Sequence, residues 1–253
     1  WIGHVLDLGV TECVSSVEFY AQVGDDPRLD YVEKIVEQAL QEPVAVDADK
    51  VKKGSLVLAE FEGEYCRAKV VRRSRNADSG EWDYHVQYVD YGNLSTRCLA
   101  ELQALPEKLS LSKVPPLARR CLLAGLSCPS AATGEDARFA LCDLVLDQRL
   151  QCTVQFVAKD GTLHLTCRTA EDTDVSENIV AGGYACVSDK TRSEFRQAPW
   201  FATLQEAERC AEADSVGYWY TGDWRMDAVT PPESLDTEET PQRRSRGPHG
   251  KRR

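Results

Sequence analysis

The stretch His85-Val-Gln-Tyr88-Val-Asp90-Tyr91-Gly92-Asn93 decides how this chain is read. Alternation along a strand puts Tyr88 and Asp90 on one face and Val89 on the other. A tight turn at Gly92 swings Tyr91 toward the side that Tyr88 faces, with the Asn93 amide beside it. Phe61, at the end of an earlier strand, can add a further wall. Such a pocket suits a delocalised cation, because each aromatic face contributes roughly 0.5–2 kcal/mol to a desolvated cation. Methylated arginine keeps its charge while losing N–H donors, and Asn93 can accept from a remaining guanidinium N–H. The alternative is that Tyr and Phe in short strands are core residues. Composition favours the core, the Gly-Asn turn favours the cage, and both readings stay open on the residues alone.

Outward from this stretch, residues 54–99 read as four short strands. They run from Gly54 to Phe61, from Tyr65 to Arg72, from Tyr84 to Asp90 and from Leu94 to Leu99, with turn clusters at Glu62-Gly63, Asn76–Gly80 and Tyr91–Asn93. Short strands with tight turns predict a small, curved barrel. Residues 5–23 read as a strand pair. Asp25-Asp26-Pro27 then opens a helix whose Leu29, Val32, Ile35, Val36, Ala39 and Leu40 fall at helical spacing. Further on, residues 135–147 read as a helix, Leu150–Val157 and Thr162–Arg168 as a hairpin around Asp160-Gly161, and Phe201–Asp214 as a helix. From about residue 228, Pro, Glu, Thr, Arg and Gly dominate and predict disorder. The order suggests a compact barrel interrupting a second α+β unit.

The chain has 253 residues, 30 Lys and Arg against 41 Asp and Glu, and a net charge of −11. Its first residue is Trp1, so we read it as part of something longer. Arg243, Arg244, Arg246, Lys251, Arg252 and Arg253 lie at the end, leaving 24 basic and 41 acidic residues, or −17, on residues 1–242. That body repels phosphate backbones and favours a cationic partner. RNA remains the second candidate, through Arg67, Lys69, Arg72, Arg73 and Arg75 on one barrel edge or through the basic tail. The tail reads equally as a nuclear-localisation signal or as a solvated end. No run approaches the roughly eighteen apolar residues of a membrane span, and no secretory signal opens the chain. Ten cysteines occur without a CxxC pair, which predicts reduced thiols in a cytoplasmic or nuclear protein, no zinc and no cofactor. The opening strands hold Asp7, Glu12 and Glu18 but no arginine, so no metal-and-arginine nuclease centre is expected there. Trp219, Tyr220 and Trp224 are expected to pack in a core.

Gly54-Ser-Leu-Val-Leu-Ala-Glu-Phe-Glu-Gly-Glu-Tyr-Cys-Arg-Ala-Lys-Val70, followed by Val86-Gln-Tyr-Val-Asp-Tyr-Gly-Asn93, resembles a Tudor domain. Asn178–Val187 and Val216–Trp224 look like the closing segments of a staphylococcal-nuclease-like, OB-type domain. Together they resemble an extended Tudor domain over residues 1–226. The resemblance implies a mostly β fold with α: a Tudor (SH3-like) barrel at 50–107 inserted into a nuclease-like OB-fold at 1–45 and 108–226, with a basic tail at 227–253. It implies a module for arginine-methylated, Arg-Gly-rich protein tails, with no catalysis in this region, within a scaffold for RNA processing or silencing. Its cage residues carry over to Phe61, Tyr88, Tyr91 and Asn93. Where the family has Trp-Tyr-Arg-Ala, this chain has Tyr65-Cys66-Arg67-Ala68, so Cys66 takes the position of a cage tyrosine. Tyr65 points away unless a local bulge turns it inward.

Overall fold

A computed structural model describes residues 2–130 and 134–232. In chain order the elements are β1 (Val5–Cys13), β2 (Glu18–Val23), α1 (Pro27–Leu40), β3 (Leu56–Phe61), β4 (Glu64–Arg75), β5 (Trp82–Tyr88), β6 (Leu94–Arg97) and β7 (Leu102–Ala104). There follow β8 (Arg119–Leu123), β9 (Leu126–Ser127), α2 (Glu135–Val145), β10 (Arg149–Val157), β11 (Leu163–Arg168), α3 (Val175–Ala181), β12 (Cys186–Val187), α4 (Ser193–Arg196) and α5 (Pro199–Ala213).

Two β structures share the chain. Strands β1, β10, β11, β8 and β2 close a barrel, and strands β6, β5, β4, β3 and β7 form a five-stranded sheet. The sheet's strands all lie between β2 and β8 in sequence, so the second unit is inserted in the first. The closed barrel buries Leu8, Phe19, Cys121, Leu123, Leu150, Cys152, Leu163 and Leu165, with α2, α3 and α5 adding Leu141, Ile179 and Leu204. The inserted sheet curls over its own core of Val57, Ala59, Ala68, Val70, Tyr84, Val86, Tyr88 and Leu102.

Strand β8 escaped the sequence reading because Cys121, Leu122 and Leu123 are all buried, which gives a continuous apolar run in place of alternation. It pairs in parallel with β11 and antiparallel with β2, closing the barrel. Strand β7 has three residues, too few to show a period. The expected strand Leu94–Leu99 ends at Arg97, where Cys98 begins a short helical turn.

Helix α1 starts where Asp26 accepts from the Arg28 backbone N–H at 3.0 Å, with Pro27 in the first turn. Its Val32 and Val36 pack against the outer face of the inserted sheet, in a cluster with Leu58, Leu109, Val114 and Leu117. Residues 228–232, expected to be disordered, are bonded to the barrel instead. Val229 exchanges two backbone hydrogen bonds with Cys128, at 2.7 and 2.9 Å, and the Pro232 carbonyl accepts from Arg120. These bonds satisfy backbone groups that a polar composition alone does not reveal. The rest of the expected disordered tail, from residue 233 on, lies outside the described residues. Trp219 and Trp224 pack together in a small cluster with Cys186 and Ala211, their ring centroids 5.6 Å apart, whereas Tyr220 is 83% exposed.

Candidate functional site

Phe61 is the last residue of β3, where Glu62 and Gly63 take positive φ and reverse the chain into β4. Register then places Cys66 opposite Ala59 and Ala68 opposite Tyr88. After Tyr88 the strand stops. The backbone N–H groups of Gly92 and Tyr91 both donate to the Tyr88 carbonyl, at 2.7 and 3.3 Å, and the Tyr88 N–H donates to the Asn93 carbonyl at 3.0 Å. This turn gathers Phe61, Cys66, Tyr88, Tyr91 and Asn93 at one end of the inserted barrel. Phe61, Cys66 and Tyr91 are half-buried against its core.

The tyrosines do not stand open side by side. Tyr88 is wholly covered. Its hydroxyl donates to the Glu60 carbonyl at 2.5 Å and accepts from Arg97 Nε at 3.1 Å. Its ring lies 5.2 Å from Phe61, tilted by 59°. The sequence pattern could not foresee this, because Arg97 arrives from β6. Of the three rings, Phe61 and Tyr91 are half-buried, whereas Tyr88 is fully buried. Tyr91 makes no ring contact among the described residues. Asn93 Oδ1 is buried there without a hydrogen-bond donor. Buried acceptors of this kind are uncommon and call for an explanation.

Burial pushes the Tyr91 hydroxyl up to about 12, reinforced by Cys66, Glu33 and Asp90. Burial likewise raises the Cys66 thiol to about 11, with Asp90, Glu64 and Glu33 adding to the effect. Both groups are neutral at pH 7, so the site offers a guanidinium polarisable faces and an amide oxygen. Burial also raises Tyr88, with Arg97 opposing the shift.

Three expectations need correction. Asp90 does not share a face with Tyr88, since the turn rotates it outward. There it accepts from Arg67 Nε at 2.8 Å, Arg67 Nη2 at 2.6 Å and the Leu117 N–H at 3.1 Å. Arg67 is therefore no part of a basic edge: it is 1% exposed and also donates to the carbonyls of Leu109, Val114 and Pro115. Tyr65 is outside the site, packed with α1, and the bulge in β4 lies between Val70 and Arg72, too far along to turn it inward. Of the other edge arginines, Arg73 and Arg75 stack on Trp82, at 4.3 and 4.4 Å from the ring centroid.

Four residues of the site's support went unnoticed in the sequence. Thr11 Oγ1 donates to the Tyr91 carbonyl at 2.5 Å, and Gln22 Nε2 donates to the Asp90 carbonyl at 2.6 Å. Gln87 Nε2 spans the Tyr20 hydroxyl, at 2.9 Å, and the Gly92 carbonyl, at 3.2 Å. Gly92, at φ +94°, lies against the Tyr20 ring, where an added Cβ would sit 2.1 Å from Cγ. The nuclease-like barrel thus grips the turn that carries Tyr91. Among the described residues no group of three or more His, Cys, Asp or Glu is arranged to hold a metal ion.

Comparison with known proteins agrees with this architecture. The family model for the Tudor domain matches residues 3–125. The Staphylococcal nuclease domain-containing protein 1 of Drosophila melanogaster is 28% identical over 226 residues, 86% of this chain and 23% of its own length. Tudor domain-containing 6 of Danio rerio is 30% identical over 128 residues, 50% of this chain and 6% of its own. The chain thus spans about a quarter or less of these curated relatives. The extended Tudor domain of Drosophila melanogaster Tudor-SN superposes with a TM-score of 0.71 at 24% identity, covering 85% of this chain and 99% of that one. The extended Tudor domain TD3 of mouse TDRD1, solved with a MILI peptide containing dimethylarginine, superposes at 0.62 with 20% identity, covering 74% and 95%. A Tudor domain is a binding module and not an enzyme. Residues 3–125 match the family model of the Tudor domain, and over 85% of its length the chain has the fold of the extended Tudor domain of Tudor-SN.

Proposed function

We propose that this region binds peptides containing dimethylated arginine between Phe61 and Tyr91, with Cys66 lining the socket, Tyr88 buttressing Phe61 from within and Asn93 accepting a guanidinium N–H. The observation that carries the reading is the buried Asn93 Oδ1, which has no donor of its own and follows by two residues the half-buried Tyr91, itself packed with Phe61 on one core. Support also comes from mouse TDRD1, a structural neighbour crystallised with a dimethylarginine peptide. On this reading the module joins arginine-methylated partners to an RNA-processing assembly. The charge of the body weighs against RNA as the ligand.

Cys66 makes the socket one aromatic wall short, which lowers affinity by about 1 kcal/mol, several-fold. The test is calorimetric titration with unmodified, symmetrically and asymmetrically dimethylated Arg-Gly peptides, alongside single-stranded RNA at two salt concentrations. Dimethylated peptide should bind more tightly than unmodified. Tyr91→Ala and Asn93→Ala should each weaken it at least tenfold, and Cys66→Tyr should strengthen it several-fold. Equal affinity for all peptides, or binding indifferent to Tyr91→Ala, would remove the proposal.

A further inference from the structure

Residues 242–253 contain six Arg or Lys and no acidic residue, and they include an Arg246-Gly247 step. The rim of the site carries the opposite charge. Glu62 and Glu64 sit at the hairpin beside Phe61, and Glu33 of α1 is close enough to Tyr91 and Cys66 to raise both hydroxyl and thiol. Among the described residues, none of these three glutamates has an ion-pair partner. A ligand rich in arginine is what such a rim attracts.

The last described residue, Pro232, is held by an arginine that borders the Tudor turn. The Pro232 carbonyl accepts from Arg120 Nη1 at 2.9 Å. Arg120 lines one cleft of about 410 Å³ together with Tyr20 and Gly92, the residue next to Tyr91. Arg246 lies fourteen positions beyond Pro232. A chain of that length spans at most about 46–50 Å, and the cleft that Arg120 shares with Gly92 puts the Tudor turn within that reach.

We propose that the basic segment 242–253 is an internal competitor for the arginine site, with Arg246 taking the socket between Phe61 and Tyr91 until a methylated partner displaces it. The inference rests on the reading of the socket given above. A tethered ligand acts at an effective concentration on the order of 1 mM. If the unmodified segment binds with a Kd of roughly 0.1 mM, it weakens a competing peptide about tenfold.

The experiment compares the full chain, the chain ending at Pro232 and the full chain carrying Arg246→Ala. The core clusters of the described residues extend no further than Ala228, and the shortened chain keeps them. A symmetric dimethylarginine peptide should bind the shortened chain about tenfold more tightly than the full chain, and Arg246→Ala should recover most of that gain. Equal affinities overturn the proposal, as does a gain on truncation that Arg246→Ala fails to reproduce. An independent readout is the Asn93 side-chain amide signal in NMR, without added peptide, which should differ between the full and shortened chains. If no dimethylarginine peptide binds any of the three, the reader function fails. Unchanged Asn93 signals overturn the internal competitor whether or not the peptide binds.

Discussion

Replacing Arg67 with methionine tests the join between the two halves of the molecule. The Arg67 and Asp90 side chains are 1% and 2% exposed, and their closest approach is 2.6 Å. Methionine matches the length of the side chain but leaves the Asp90 carboxylate with only the Leu117 N–H, and it strips donors from the carbonyls of Leu109, Val114 and Pro115. Removing one partner of a buried ion pair costs about 3–5 kcal/mol, because the other charge remains desolvated. Urea unfolding followed by tryptophan fluorescence should therefore show a midpoint lower by about 1–2 M. Arg67→Met combined with Asp90→Asn should cost clearly less than the two single changes added together, since no uncompensated charge is left. A loss below about 1 kcal/mol for Arg67→Met, or strict additivity in the double variant, would refute the account of this pair as the pin between the Tudor turn and the 109–117 segment.

Two further outcomes follow from the site. Burial raises the Cys66 thiol from 9.0 to about 11, so its thiolate fraction near neutral pH is about 100-fold below that of an ordinary thiol. Alkylation of Cys66, followed by mass spectrometry, should be correspondingly slow at pH 7 and rise about tenfold per pH unit up to about pH 10; alkylation at the rate of exposed Cys98 would contradict the burial argument. Gly92→Ala should destabilise by roughly 1–3 kcal/mol, from positive φ and from overlap with Tyr20. The same change in a Tyr20→Gly background, which removes both the ring and the Cβ 2.4 Å away, should cost less by more than about 0.5 kcal/mol, and equal costs would show that the Tyr20 side chain is not the obstacle.

Local chemistry was legible in the sequence where the chain acts on itself. The Asp26-Pro27 cap, the helix from Pro27, the Asp160-Gly161 hairpin and the turn around Gly92 depend on neighbours a few residues away. A linear pattern records such neighbours directly. The short strands of the inserted sheet were legible for the same reason, since turn residues punctuate them. Strand β8 was not, because burial on both faces erases the alternation that announces a strand.

The site divides along the same line. The sequence by itself named Phe61, Tyr88, Tyr91 and Asn93 as a group and marked Cys66 as the departure. Only the tertiary structure decided which of those faces are open. Tyr88 is closed off because Arg97 and the Glu60 carbonyl hold its hydroxyl, and both come from other strands. Tyr91 is held from outside the Tudor unit altogether, by Thr11, with Tyr20 and Gln22 bracing the residues on either side of it. Asp90 left the face assigned to it because a turn, unlike a strand, obeys no two-residue period. Its partner Arg67, 23 positions earlier, drew it outward. Contacts across such separations depend on how the barrels pack, and packing is not written in the spacing of residues along one strand.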